Sequence, residues 1–194
     1  MEAVVGLDHP LDVMRAVHVG FLAQPEPPGK GTLRAHPEGM EDLRVPKREV
    51  PVEVVLPGGE ARQVAVYLSE AAASHPGPER LSDLLNGSAP FIPAREPGSG
   101  AMTFLHRASI AVARVAADEE PSDDSFTIPT EHEVEITLAD GSRLYGLVAY
   151  VAPASRDRLV DFLNRPEPFL RLLERDRVSL VGRAHVARVA LLQG

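Results

Sequence analysis

Apolar and polar positions alternate along residues 52–59, VEVVLPGG, and again along 134–141, VEITLADG. Each run ends in a glycine-containing turn, the pattern of a strand entering a hairpin. Return strands follow at 63–68 (QVAVYL) and 145–151 (YGLVAYV). Next come two nearly matching segments, ERLSDLLNGSAPF (79–91) and DRLVDFLNRPEPF (157–169). A third pair closes each run, FLHRASIAVARV (104–115) against LVGRAHVARVAL (180–191). The three blocks recur in one order, at offsets of 82, 78 and 76 residues, and such recurrence takes precedence in assigning a fold.

Each copy therefore reads strand, turn, strand, short helical turn, strand, turn, strand, with the last strand the longest apolar stretch. The predicted fold is mostly β: a tandem repeat of two small four-stranded units, barrel-like or as packed sheets, each with a short helical turn. Four short strands leave an apolar face uncovered, so the units are expected to cover each other with pseudo-two-fold symmetry. Two separate barrels on a tether are the alternative. The expected division is 1–49, an N-terminal helix with an irregular extension; 50–117, the first β repeat; 118–133, an acidic linker; and 134–194, the second repeat. The N-terminal helix is predicted over 11–24, where Leu11, Met14, Val17 or His18, and Phe21 share a face, with Asp8 as its cap.

Within the repeated motif, Leu81, Leu84 and Leu85 fall at i, i+3 and i+4, as do Leu159, Phe162 and Leu163. That spacing gathers three apolar side chains on one side of a helical turn, which can plug the end of a β unit. Asn86 and Asn164 are expected to end the turn in the left-handed conformation. Phe91 and Phe169, each after a Pro, are expected to anchor the next strand in the core. Asp83 and Asp161 are read as bonding nearby backbone, in preference to forming a ligand site.

The chain resembles an uncharacterised family of small bacterial β domains in which a G-x-R…G hairpin precedes R-L-x-D-(Leu/Phe)-L-N. The second copy carries Gly141, Arg143, Gly146 and Arg158 through Asn164; the first has Val64 in place of the second Gly. The resemblance covers 50–116 and 134–193 and implies a fold type, with no activity attached.

Charge sharpens the picture. The net charge is −8, yet residues 118–133 hold seven acids and no Lys or Arg, while 134–194 hold seven acids and nine Arg. Residues 117–133 are thus expected to be an exposed, solvated connector. The balance argues against broad duplex binding, which needs many cations, so nucleic acid is an unlikely partner. Arg156, Arg158, Arg165, Arg171, Arg175 and Arg177 form a candidate anion or partner contact, against the plainer reading of a solvated face. One alternative pairs this Arg face with the acidic connector.

Catalytic signatures are missing. There is no P-loop, dinucleotide fingerprint, H-E-x-x-H or nucleophile elbow, and no Cys. The seven His are scattered, and EHE (131–133) is too short a cluster for a metal site. No catalytic residue, cofactor or metal is expected, although a triad assembled in space stays open. The start lacks a secretory pattern and no apolar run can span a membrane, so a cytoplasmic location is expected. The function expected is a non-catalytic adaptor or scaffold holding a protein partner. The alternative is an anion, nucleotide or RNA-binding module using the second repeat's arginines. Unpaired edge strands and a spare amphipathic helix also invite a homo-oligomer.

Overall fold

The computed structural model describes residues 46–122, 128–151 and 158–192. The predicted N-terminal helix and Arg156 lie outside the described residues. Among these residues, ten strands form one antiparallel sheet. The first five are β1 (Lys47–Val55), β2 (Ala61–Ser69), β3 (Phe91–Arg95), β4 (Met102–His106) and β5 (Val112–Ala116). The second five are β6 (Thr130–Leu138), β7 (Arg143–Tyr150), β8 (Phe169–Leu173), β9 (Arg177–Gly182) and β10 (Val186–Leu191). One short helix, α1 (Leu81–Asn86), separates β2 from β3, and another, α2 (Leu159–Leu163), separates β7 from β8. None of the described helices is long and apolar enough to cross a membrane.

The alternating runs form the expected hairpins. In the first turn Leu56 N–H donates to Glu60 O at 2.9 Å, and in the second Leu138 N–H donates to Ser142 O at 2.8 Å. Gly59 and Gly141 take φ of 84° and 88° there, a conformation a side chain disfavours.

Three expectations about the architecture are corrected. Each run contains five strands, where four were predicted, because the long apolar stretch at its end breaks at an Arg-Ala pair. Arg107 and Arg183 donate their backbone N–H to Pro90 O and Pro168 O, each at 2.8 Å. The chain turns through 3-10 geometry over Arg107–Ser109 and Arg183–His185. Nor do the runs close into barrels or face each other as separate sheets. Strand order is β10-β6-β7-β8-β9-β5-β1-β2-β3-β4, open at β10 and β4 and continuous through the β5–β9 pair. Finally, the acidic connector is partly structural. Thr130–Glu133 belong to β6, Glu119 ion-pairs with Arg48, and Glu120 is buried.

The central pair also explains the core. Ala113, Val115, Val178 and Leu180 join one apolar cluster with β1, β2, α1 and β3. Val112 and Val181, one residue out of phase, join a second cluster with β6, β7, β8 and Phe162. Successive strand residues point to opposite faces, so one strand pair closes two cores on its two sides.

The motif residues divide accordingly. Leu81 and Leu85 are buried, with Leu84 packed against the first cluster. Phe162 and Phe169 are buried, whereas Leu159 and Leu163 are half-buried against the second cluster. Phe91 contradicts its expected core position: it is 55% exposed, whereas Phe169 is buried beside α1 in the first apolar cluster. The left-handed ending is also absent. Asn164 has φ −94° and backs its Nδ2 onto Val160 O at 2.9 Å. Asn86 ends α1 ahead of an extended Gly87, at φ −67°.

Candidate functional site

Two places on the sheet carry chemistry. The first is a cavity of about 630 Å³ whose lining includes Arg80, Ser82, Glu120, Tyr150, Arg165 and Arg171. Tyr150, at the end of β7, stacks on Phe162 of α2 with ring centroids 4.7 Å apart and planes 11° from parallel. Arg165, just after α2, lies over this pair, 5.2 Å from the Phe162 ring and 5.8 Å from the Tyr150 ring. Such cation–π contacts hold a guanidinium without a carboxylate. Its Nη2 also donates to Val151 O at 2.9 Å.

Arg171, from β8, donates to Ser122 Oγ at 3.0 Å and to Glu120 O. Arg171 thus meets the connector at a serine hydroxyl and a backbone carbonyl. Glu120 itself turns inward, where Ser82 N–H donates to its Oε2 at 3.2 Å. Burial pushes its carboxyl above the ordinary glutamate range; bonds from Ser82 and the charge of Arg171 oppose that shift without cancelling it.

Of the six arginines expected to form a contact, only Arg165 and Arg171 reach this cavity among the described residues. Arg158 is exposed ahead of α2, and its carbonyl accepts from Asp161 N–H at 3.0 Å. Arg175 is exposed in the β8–β9 turn, where Arg177 pairs with Glu174 at 2.6 Å. Asp83 serves structure: its Oδ2 accepts from Arg80 N–H at 2.9 Å and contacts His75 Nε2 at 2.8 Å. Asp161 is exposed. Among the described residues no three His, Asp or Glu side chains are grouped to hold a metal ion.

The second place is the β3–β4 hairpin at one end of the sheet. Its register sets Phe91 opposite His106, Pro93 opposite Phe104 and Arg95 opposite Met102. Paired residues share a face, so Phe91, Phe104 and Met102 project together. They are 55%, 66% and 51% exposed. Tyr67 of β2 borders them, its hydroxyl 3.6 Å from Met102 Sδ. Sequence reasoning missed Met102 and Phe104 as contact residues, although their counterparts at an offset of 76, Val178 and Leu180, were visible as core material. Glu120 carried no local signal, and Arg80 stood out only as the first residue of the repeated motif.

The chain matches no family model, no curated protein and no solved structure, and so no comparison points to an enzymatic family.

Proposed function

We propose that this protein is a non-catalytic adaptor or scaffold that holds a protein partner on its β platform. The observation that carries this reading is the strip of Phe91, Met102 and Phe104, three large apolar side chains projecting from an edge hairpin. Isolated apolar residues are ordinary on a surface, but grouped ones at an unpaired edge mark a contact. The two five-strand runs are read here as copies of one unit. Recurring registers support that: Val52 faces Val64 as Val134 faces Gly146, and Ala113 faces Val54 as Val189 faces Ile136. The resemblance expected from the R-L-x-D-(Leu/Phe)-L-N motif and the lack of Cys are what support placing such a protein in the cytoplasm. Affinity capture tests the reading: proteins retained by the wild type are expected to be lost with Phe91→Lys/Phe104→Lys. Equal retention by the folded variant would overturn it.

A second reading, binding of an anion or nucleotide, is favoured by the three guanidinium groups of Arg80, Arg165 and Arg171 around one cavity. Phosphate and carboxylate suit guanidinium forks, and the Tyr150–Phe162 stack supplies an aromatic wall. Titration with a fluorescent nucleotide is expected to show affinity that falls with salt and is lost in Arg165→Gln/Arg171→Gln. Affinity independent of both would remove it.

A further inference from the structure

The contact between the two runs is one-sided. Phe169, Val178 and Leu180 of the second run are buried in the apolar cluster of the first. Their counterparts in the first run, at the offsets of 78 and 76, are Phe91, Met102 and Phe104, and these are the exposed strip. The receiving side shows the same contrast. Leu81 and Leu85 of α1, near Phe169, are each 1% exposed, whereas their counterparts Leu159 and Leu163 on α2 are half-buried. On the receiving strand, Val115 of β5 is 3% exposed and its counterpart Leu191 of β10 is 55% exposed. Among the described residues, each chain thus has one inserting edge, β4, and one receiving edge, β10, with no further strand beside them.

We infer that the exposed β4 strip is the docking surface for the β10 edge of a second copy of this chain, repeating between chains the β5–β9 junction within each. The inference rests on reading the two runs as copies, and it names the partner that the apolar strip takes. The internal junction sets the register. Val115 faces Val178 and Ala113 faces Leu180, so Leu191 of one chain faces Met102 of the other, and Val189 faces Phe104. It also supplies the polar contact: Phe169 N–H donates to Asn86 Oδ1, so Phe91 N–H donates to Asn164 of the neighbour. That contact explains why both Asn residues accompany both Phe residues.

Two counterparts differ and bound the new strand pair. Gly182, whose missing Cβ would sit 2.7 Å from Ile110 O, corresponds to His106, and Val112 corresponds to Arg188. The intermolecular ladder therefore runs over Ala101–Phe104 and Val189–Leu192, leaving His106 and Arg188 at its rim. The contact is heterologous, because the joined patches are different, so association either closes into a ring or extends.

The chain has no Cys, so Met102→Cys/Leu191→Cys gives a clean cross-linking test. Oxidation is expected to yield disulfide-linked species of two or more chains, and light scattering is expected to find a mass that rises with concentration. Phe104→Lys and Leu191→Lys, each altering a residue more than half exposed, are expected to be folded monomers separately. Mixed, they form a two-chain species and nothing larger, since each retains the edge the other has lost. A disulfide confined within single chains overturns the inference, because β4 and β10 then close on each other. A concentration-independent monomer without cross-links also overturns it. Partner capture lost with Phe91→Lys/Phe104→Lys alongside that monomer would leave the adaptor reading standing and remove self-association alone.

Discussion

The backbone N–H of Phe169 donates to Asn86 Oδ1 at 2.9 Å, tying the first residue of β8 to the last residue of α1, 83 positions earlier. The Phe169 ring then enters the apolar cluster that α1 caps. Backbone and side chain of one residue thus join the two five-strand runs.

Asn86→Ala removes the acceptor and leaves a partly buried N–H unpaired. A loss of about 1–3 kcal/mol is expected in urea unfolding. Asn164→Ala, whose side chain returns only to Val160 O of its own helix, is expected to change stability by less than about 0.5 kcal/mol at concentrations where the chain is a monomer. Equal losses would show that the bond to Phe169 contributes nothing beyond ordinary helix capping.

The matched leucines separate in the same way. Leu85 is fully enclosed, so Leu85→Ala is expected to cost about 2–5 kcal/mol through lost burial and the cavity left behind. Leu163 is half-buried, which makes the core-sized penalty its spacing predicts too large; Leu163→Ala is expected to cost less than about 2 kcal/mol. Thermal melts of the two variants in dilute solution measure the difference.

These pairs mark how far local pattern reaches. Alternation located the β1–β2 and β6–β7 hairpins, and i, i+3, i+4 spacing located both helices, because each depends on nearby residues. Phe91 and Phe169 have the same local context and opposite burial; each lies on a strand with a neighbour on either side, and the difference is that the β5–β9 pairing brings Phe169 against α1 and the first run's core. The break at Arg107 and Arg183 was hidden for a related reason. Its cause is a bond to a proline carbonyl 17 residues back in one run and 15 in the other. Glu120 reads as one more acid in a solvated connector, and only the fold turns it inward. Of the candidate arginines, Arg165 and Arg171 became a site because α2 and β8 bring them beside Arg80, a neighbour remote in the sequence.

Gly182 tests the close approach at the centre of the sheet. Its N–H donates to Ala111 O at 2.9 Å, and an added Cβ would lie 2.7 Å from Ile110 O and 3.1 Å from His185 Cδ2. The first obstacle is backbone and cannot swing aside. Gly182→Ala is therefore expected to destabilise by about 1–3 kcal/mol, as overpacking does, despite the better strand propensity of alanine. Gly141→Ala meets no atom within 4 Å, but its φ of 88° is strained for a side chain, so its expected cost of about 1 kcal/mol is conformational. The double variant is expected to show the two costs to be additive, since one arises at the end of β9 and the other in the β6–β7 turn.

Glu120 gives stability a pH dependence of definite sign. Its folded-state pKa lies above the ordinary 4.5, chiefly because burial disfavours the carboxylate. Below 4.5 the group is protonated in both states and contributes nothing to the balance. As the pH rises, the unfolded chain releases its proton first, so the native state loses relative stability until its own pKa is passed. Glu120→Gln keeps the shape and cannot ionise. Its stability relative to the wild type is therefore expected to rise from about pH 4.5 upward and then level off above the folded-state pKa. Urea unfolding of both proteins across this range measures the difference directly. A wild type that gains on Glu120→Gln with rising pH would mean that Arg171 and the Ser82 N–H stabilise the carboxylate by more than burial costs it. The cavity would then hold a fixed anion beside its arginines.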